Sequence, residues 1–394
     1  MTAKLSQLKR NIHLYPSAFT HESRILKEAE TICTDRIFSD ILLVGVKGQG
    51  LQAVEQVSDR ITIYRIGPAK RKSAVGKAIW YIFWCLHALW FSLRHHPACV
   101  NCHSLPVLPV GALVKVLTGA SLVYDAHELE TETIGLAGIR KRLSQVVESL
   151  LIRYSELVIV VSPGIEQWYR EKYNLNNVVT VLNSPKYVEG TKSNKLRECL
   201  SIDEAYDRIL LYQGSLSPGR GVEYLLNAAP LLSKKKYAVV FMGNGVLVEK
   251  IRKVAESNVN VYFQPAVPPK DLIEYTASAD VGVSMIEDVC LSYKLSLPNK
   301  LFEYLMARLP VLASSLPEVR EIVEINQAGA CIATWESSVV VEALERIQAM
   351  TGPTLKARLD LMARRYCWEQ QERVLIKAYR DHVSRSSNDL RLST

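Results

Sequence analysis

Short apolar runs and longer amphipathic segments alternate along almost the whole chain, and this rhythm leaves few folds open. Residues 11–15 (NIHLY), 41–45 (ILLVG) and 61–66 (ITIYRI) read as strands, while Ile25, Leu26, Ala29 and Ile32 recur at helical spacing between the first two. Strand–helix–strand repetition demands parallel pairing with crossovers of one hand, so the fold class is α/β, a doubly wound parallel sheet covered on both faces. The rhythm breaks once. Residues 186–206 are polar and weakly periodic, after which RILLYQGSLSPGRG restarts the alternation. This divides the chain into an N-terminal domain (1–185), a hinge (186–206), a C-terminal domain (207–366) and a final helix with a loose tail (367–394). At 394 residues there is ample chain for two cores.

The composition excludes several classes. With 48% hydrophobic and 22% charged residues the chain is neither disordered nor fibrous. A net charge of +8 admits an acidic partner: anionic lipid, nucleotide phosphates or nucleic acid. There is no zinc-finger, RRM-like or aromatic–basic RNA pattern, which leaves no nucleic-acid reading. Eight cysteines and a polar N-terminus without a signal peptide (MTAKLSQLKRN) suit reduced thiols in the cytoplasm. Cys99 and Cys102 form a CxxC before His103, but without a second CxxC they read as buried structural residues, and no metal is expected.

In such a sheet ligands lie at the carboxyl ends of the strands. That rule picks out Ser17, Thr20, His21, Ser23 and Arg24 after the first strand, and the cluster Asp125, His127, Glu128 and Glu130 after SLVY. Alternation in an extended segment leaves Asp125 and His127 on one side. In the second domain Gly214, Gly219 and Gly221 surround Arg220 in a turn before a helix, where backbone N–H groups and a fixed charge suit phosphate; Gly243 stands in the equivalent turn further on. Pro298 fits a first helical turn, Leu297, Leu301, Phe302 and Leu305 make an apolar stripe, and Asn299, Lys300 and Glu303 share another face. A surface ion pair is the plainer reading of Lys300 and Glu303.

Residues 70–94 need separate treatment. Ala74 to Leu93 approaches membrane-spanning length, but Lys77 and His87 interrupt it and it fills a helix slot between strands. Trp80, Tyr81, Trp84 and Trp90 beside Lys70, Arg71, Lys72 and Lys77 suggest an interfacial helix on an anionic membrane surface; an aromatic-rich core helix is the alternative.

The run SYKLSLPNKLFEYLMARLPVLAS (292–314) resembles the nucleotide-sugar site of family 4 glycosyltransferases, two-domain enzymes of the GT-B fold. The resemblance implies two Rossmann-like domains facing across a cleft, with the last helix crossing back to the first domain. It implies that Glu303 holds the donor's ribose hydroxyls, a task suited to a two-oxygen acceptor. YDAHE is similar to the strand end where the family sets a histidine against the donor sugar, which is His127 here. Arg220 matches the basic residue of the family's diphosphate loop; Ser215 stands where a second basic residue is common, so Lys300 supplies that charge. The loop holding Phe263, Pro265 and Val267 corresponds to the nucleobase side. Leu295 occupies the place of a sugar-contacting glutamate, for which Glu287, Asp288 or backbone amides would substitute.

The implied activity is retaining, metal- and cofactor-independent transfer from a nucleoside diphosphate sugar to a polysaccharide or lipid-linked glycan acceptor, as in lipopolysaccharide synthesis. The implied location is the inner face of the cell membrane. Two rivals are a nucleotide-sugar epimerase on the same fold and a homologue that binds but no longer transfers.

Overall fold

The computed structural model describes residues 10–68, 73–190, 192–350 and 352–389, so the basic triplet Lys70, Arg71 and Lys72 lies outside the described residues. The chain divides into two compact units, Met1–Val181 with Glu372–Thr394, and Leu182–Gln371.

The first unit is built on β1 (Arg10–Leu14), β2 (Asp40–Val46), β3 (Val54–Ser58), β4 (Ile61–Ile66), β5 (Cys99–Cys102), β6 (Ser121–Ala126), β7 (Leu157–Val160) and β8 (Val178–Thr180). They lie in the order β3-β4-β2-β1-β5-β6-β7-β8, parallel except for β3, which runs against β4. The sequence pattern misses β3 because VEQVS is exposed along nearly its whole length and offers no apolar run. The order reverses between β1 and β5, the position at which such sheets leave a crevice at their carboxyl ends. Cys99 and Cys102 sit wholly buried in β5.

Helix Ala74–His95 covers this sheet with the face carrying Trp80, Trp84, Ala88 and Phe91. Trp84 is fully buried and donates from Nε1 to the Gly45 carbonyl at 3.0 Å, and Trp80 donates to the Pro68 carbonyl at 2.8 Å. This corrects the interfacial assignment of two tryptophans: Trp80 and Trp84 are core anchors with satisfied indole N–H groups. Of the four aromatic residues singled out on this helix, Trp90 is the one that is exposed. Among the described residues no helix is long and apolar enough to cross a membrane. The last helix, Trp368–Asp389, belongs to this unit from Glu372 onward. Its Tyr379 is fully buried, bonded to the Asn101 amide, and Arg380 pairs with Asp35 at 2.7 Å.

The second unit has six parallel strands, β9 (Arg208–Ser215), β10 (Tyr237–Asn244), β11 (Val261–Pro265), β12 (Val281–Ser284), β13 (Val311–Ser314) and β14 (Gly329–Ile332), in the order β11-β10-β9-β12-β13-β14. Successive residues of β9 feed opposite cores: Ile209 and Leu211 pack with Val240, Leu301 and Phe302, whereas Leu210 and Tyr212 pack with Val239, Leu225 and Leu344. Both faces are therefore dry, as an unbroken apolar strand requires. Leu196, Ile202 and Tyr206, from the polar stretch 186–206, are buried in the first of these cores.

The order of this sheet reverses between β9 and β12, and one side chain pins that point. The Tyr304 hydroxyl accepts from the Gln213 N–H at 3.0 Å and lies 3.1 Å from each of the Leu211 and Val283 carbonyl oxygens. Its ring passes directly over Gly282, where a Cβ would stand 2.2 Å from the ring. Any larger residue at 282 would push the tyrosine off its three backbone partners.

Candidate functional site

At the carboxyl end of β9 the chain turns through Gly214, Ser215, Gly219, Arg220 and Gly221 into helix Val222–Lys234. Gly221 caps that helix with a left-handed φ of 76°, and a Cβ there would sit 2.3 Å from the Met285 side chain. Only glycine lets the loop close so tightly on β12. Gly243 sits beside Gly214 in the β9–β10 register, and the Glu287 N–H donates to the Gly219 carbonyl at 3.1 Å. Asp288 instead pairs with Lys294 at 3.2 Å.

Helix Asn299–Met306 brings the other half of the site. Pro298 is its cap, in extended conformation, one place earlier than the sequence pattern puts it; Asn299 opens the helix and is exposed. Lys300 does not share the solvated face assigned to it. It is 7% exposed, with Nζ 3.6 Å from the centre of the Tyr212 ring and no hydrogen-bond partner among the described residues. Burial, and then the nearby Arg220 charge, lower its pKa well below the usual lysine value, against the pull of Glu303. Arg220 lies over the Tyr293 ring at 5.3 Å. Glu303 accepts from Gln213 Nε2, and Gln213 Oε1 in turn accepts from Thr276 at 2.8 Å, which fixes the carboxylate's direction. The loop beyond β11 is less tightly drawn: Phe263 lies against Arg252 at 4.4 Å, Pro265 is exposed, and Val267 packs on the opposite core. The whole arrangement offers two cations, a held carboxylate and a glycine-lined turn at the point where the sheet reverses.

The first unit has its own polar centre at the carboxyl ends of β1, β5 and β6. Asp125 is fully buried; its Oδ2 accepts from His103 Nδ1 and His127 Nε2, each at 2.8 Å, and its Oδ1 accepts from Arg24 Nη2 at 2.8 Å. Burial alone would raise this carboxyl's pKa, but Arg24, His127 and the hydrogen bonds bring it well below the usual range. Since His103 spends its Nδ1 proton on Asp125, its Nε2 accepts from His13 Nδ1 at 2.7 Å, a chain of two neutral imidazoles. Burial lowers both histidines' pKa values, which keeps them uncharged. His103, Asp125 and His127 hold ligand-type atoms within 4.8 Å, yet Asp125 is already occupied by Arg24 and two imidazole donors, so the trio fits mutual pairing better than a metal.

His127 lines a cavity of ≈ 590 Å³ with Tyr15, Ser17, Glu22, Lys47 and Glu130. The Glu130 Oε1 is buried without a hydrogen-bond partner, and burial pushes this carboxyl up to about 8. Arg24 is withdrawn from the ligand-facing role given to its loop, because its guanidinium also bonds the Val181 carbonyl at 2.8 Å and meets Glu28 at 3.0 Å. Thr20, His21 and Ser23 are exposed, and Ser17 is bonded to Glu22. Sequence reasoning passed over Gln213, Tyr304 and His13, and weighed His103 only beside the CxxC. For Gln213 and His13 a signal existed: each is a polar residue inside an otherwise apolar strand, RILLYQGS and RNIHL.

Two sheets, parallel except for one edge strand and each reversing beside its own polar centre, define a GT-B fold, and the comparisons agree. Sucrose-phosphate synthase from Thermosynechococcus elongatus superposes with a TM-score of 0.76 at 15% identity, over 95% of this chain and 98% of that one. Anabaena Alr3699/HepE in complex with UDP-glucose gives 0.70 at 15% identity, over 94% and 99%. Residues 207–349 match the family glycosyl transferases group 1. Among relatives by sequence, chitobiosyldiphosphodolichol beta-mannosyltransferase from Kluyveromyces lactis is 22% identical over 63% of this chain and 61% of its own length. The probable glycosyltransferase WbjE from Pseudomonas aeruginosa is 22% identical over 51% and 52%. The matches thus span between about half and three fifths of those relatives' lengths.

Proposed function

We propose that the chain transfers a sugar from a nucleoside diphosphate sugar to a lipid-linked glycan or polysaccharide acceptor at the cytoplasmic face of a membrane. The observation that carries this reading is Lys300: an ammonium buried beside Arg220 with no acceptor of its own is matched by an anionic ligand, and a diphosphate in the Gly214–Gly221 turn meets both cations. Glu303, aimed by Gln213, takes the ribose hydroxyls, and Glu287, tied by its backbone to Gly219, stands in for the glutamate absent at Leu295. The acceptor class is supported by the relative whose name specifies a dolichol-diphosphate chitobiose.

In the reaction the bond between the sugar's anomeric carbon and the diphosphate oxygen breaks as the acceptor oxygen bonds to that carbon. The departing diphosphate takes the acceptor's proton, and attack on the face it leaves retains configuration. Arg220 and Lys300 stabilise the charge developing on the leaving group, so transfer proceeds without a metal. The test is turnover with a cognate donor in the presence of EDTA, with the product's anomeric configuration read by NMR. Retention and full activity in EDTA support the mechanism; inversion or a metal requirement refutes it.

A further inference from the structure

The first unit carries an apolar surface that the proposed transfer chemistry does not use. The crossovers from β4 to β5, β5 to β6 and β6 to β7 all step the same way across the sheet, so right-handedness puts their helices, Ala74–His95, Leu108–Thr118 and Gly138–Leu151, on one face. Each packs against the next. Each also turns large apolar residues outward: Ile79, Ile82, Phe83, Leu86 and Trp90 on the first, Leu113, Val116 and Leu117 on the second, and Ile139, Leu143, Val146 and Leu150 on the third, all at least 49% exposed. Scattered apolar residues need no explanation, but three adjoining helices that each carry an outward apolar row mark a surface built to be covered.

The charge of the sequence that builds most of this face, and of its third helix, points to the partner. From Arg60 to Tyr124 the chain has no Asp or Glu in 65 residues, against eight Lys and Arg, although 40 acidic residues are spread over the whole. The third helix has one acidic residue, Glu148, and it is turned inward, bonded by the hydroxyls of Tyr124 (3.1 Å), Tyr169 (2.6 Å) and Tyr173 (2.7 Å). The exposed charges beside the apolar rows are Lys77, Arg94, Arg140, Arg142 and Arg153, with the Arg94 guanidinium 5.7 Å from the centre of the Trp90 ring.

We infer that this three-helix face is the surface by which the protein docks on an anionic lipid bilayer, with the Gly138–Leu151 helix inserting as deeply as the aromatic one. This deepens the membrane reading proposed above and rests on it for its purpose; the lipid contact itself requires no turnover. Aliphatic rows enter the acyl boundary, Trp90 sits at headgroup level, and the arginines meet lipid phosphates.

The test is sedimentation of the full chain with phosphatidylcholine vesicles with and without phosphatidylglycerol, beside light scattering in solution. Wild type is expected to be monomeric and to pellet with the phosphatidylglycerol vesicles, releasing at high salt. Leu143→Glu/Leu150→Glu abolishes pelleting, and Arg140→Gln/Arg142→Gln weakens it roughly thirtyfold, while thermal stabilisation by the cognate nucleotide is unchanged in both. Equal pelleting of the Leu143→Glu/Leu150→Glu variant, no pelleting of wild type, or a wild-type dimer that this variant splits would overturn the inference. Loss of nucleotide stabilisation in wild type would overturn the transferase reading and leave the lipid result standing.

Discussion

Lys300 and Glu130 are residues whose surroundings oppose their charge. Replacing Lys300 with Met removes a buried cation that has no hydrogen bond, so the free protein is expected to be unchanged or more stable in thermal melts. Donor affinity is expected to fall by about 1.5–3 kcal/mol, the worth of a charge-assisted bond; a less stable variant with normal affinity would make Lys300 structural. The Glu130 carboxyl, raised from an ordinary 4.5 to about 8, stays protonated in the fold while the unfolded chain ionises. The folded state then binds more protons across that interval, and the group's contribution to stability falls as pH rises from about 4.5 to about 8. Glu130→Gln cannot ionise, so its melting temperature relative to wild type should climb between pH 5 and pH 8; parallel curves would contradict the shift. The sequence shows Glu130 after a strand and Lys300 at a helix start, but nothing in it shows that Lys300 is buried, because burial there comes from Tyr212, on a strand 88 positions away.

The elements were largely legible where burial was uniform. β1, β2, β4 and β9 announce themselves as apolar runs, while β3, which buries almost nothing, does not. The aromatic helix shows why periodicity reaches a limit: it is apolar all round, so spacing cannot say which tryptophans face the sheet. Trp84 faces it and Trp90 does not. Trp84→Ser is therefore expected to destabilise the first unit by about 3–5 kcal/mol, the cost of truncating a buried aromatic residue, and Trp90→Ser to leave the melt nearly unchanged. A similar contrast holds in the second unit. Gly282→Ala would force the Tyr304 ring away from its backbone partners and lower stability by several kcal/mol, by analogy with overpacked cores at about 1–3 kcal/mol or more; an unchanged melt would mean the ring is not held as described.

At the scale of the whole molecule, the first unit is completed by residues from Glu372 onward. The two-domain α/β reading was available from the alternation and the family resemblance. The polar stretch 186–206 shows the limit of composition as a guide, because three of its residues are buried in the second unit's core. The residues proposed to bind the donor lie within that unit, in the 207–349 segment that matches the glycosyl transferases group 1 family. The most direct measurement is thermal stabilisation of the purified protein by a panel of nucleoside diphosphates and their sugars, on wild type, Lys300→Met and Glu303→Ala. A shift of wild type by one base, lost in Glu303→Ala and reduced in Lys300→Met, is the predicted result. No shift with any nucleotide, or an equal shift in all three proteins, would contradict the donor site assigned to Arg220, Lys300 and Glu303.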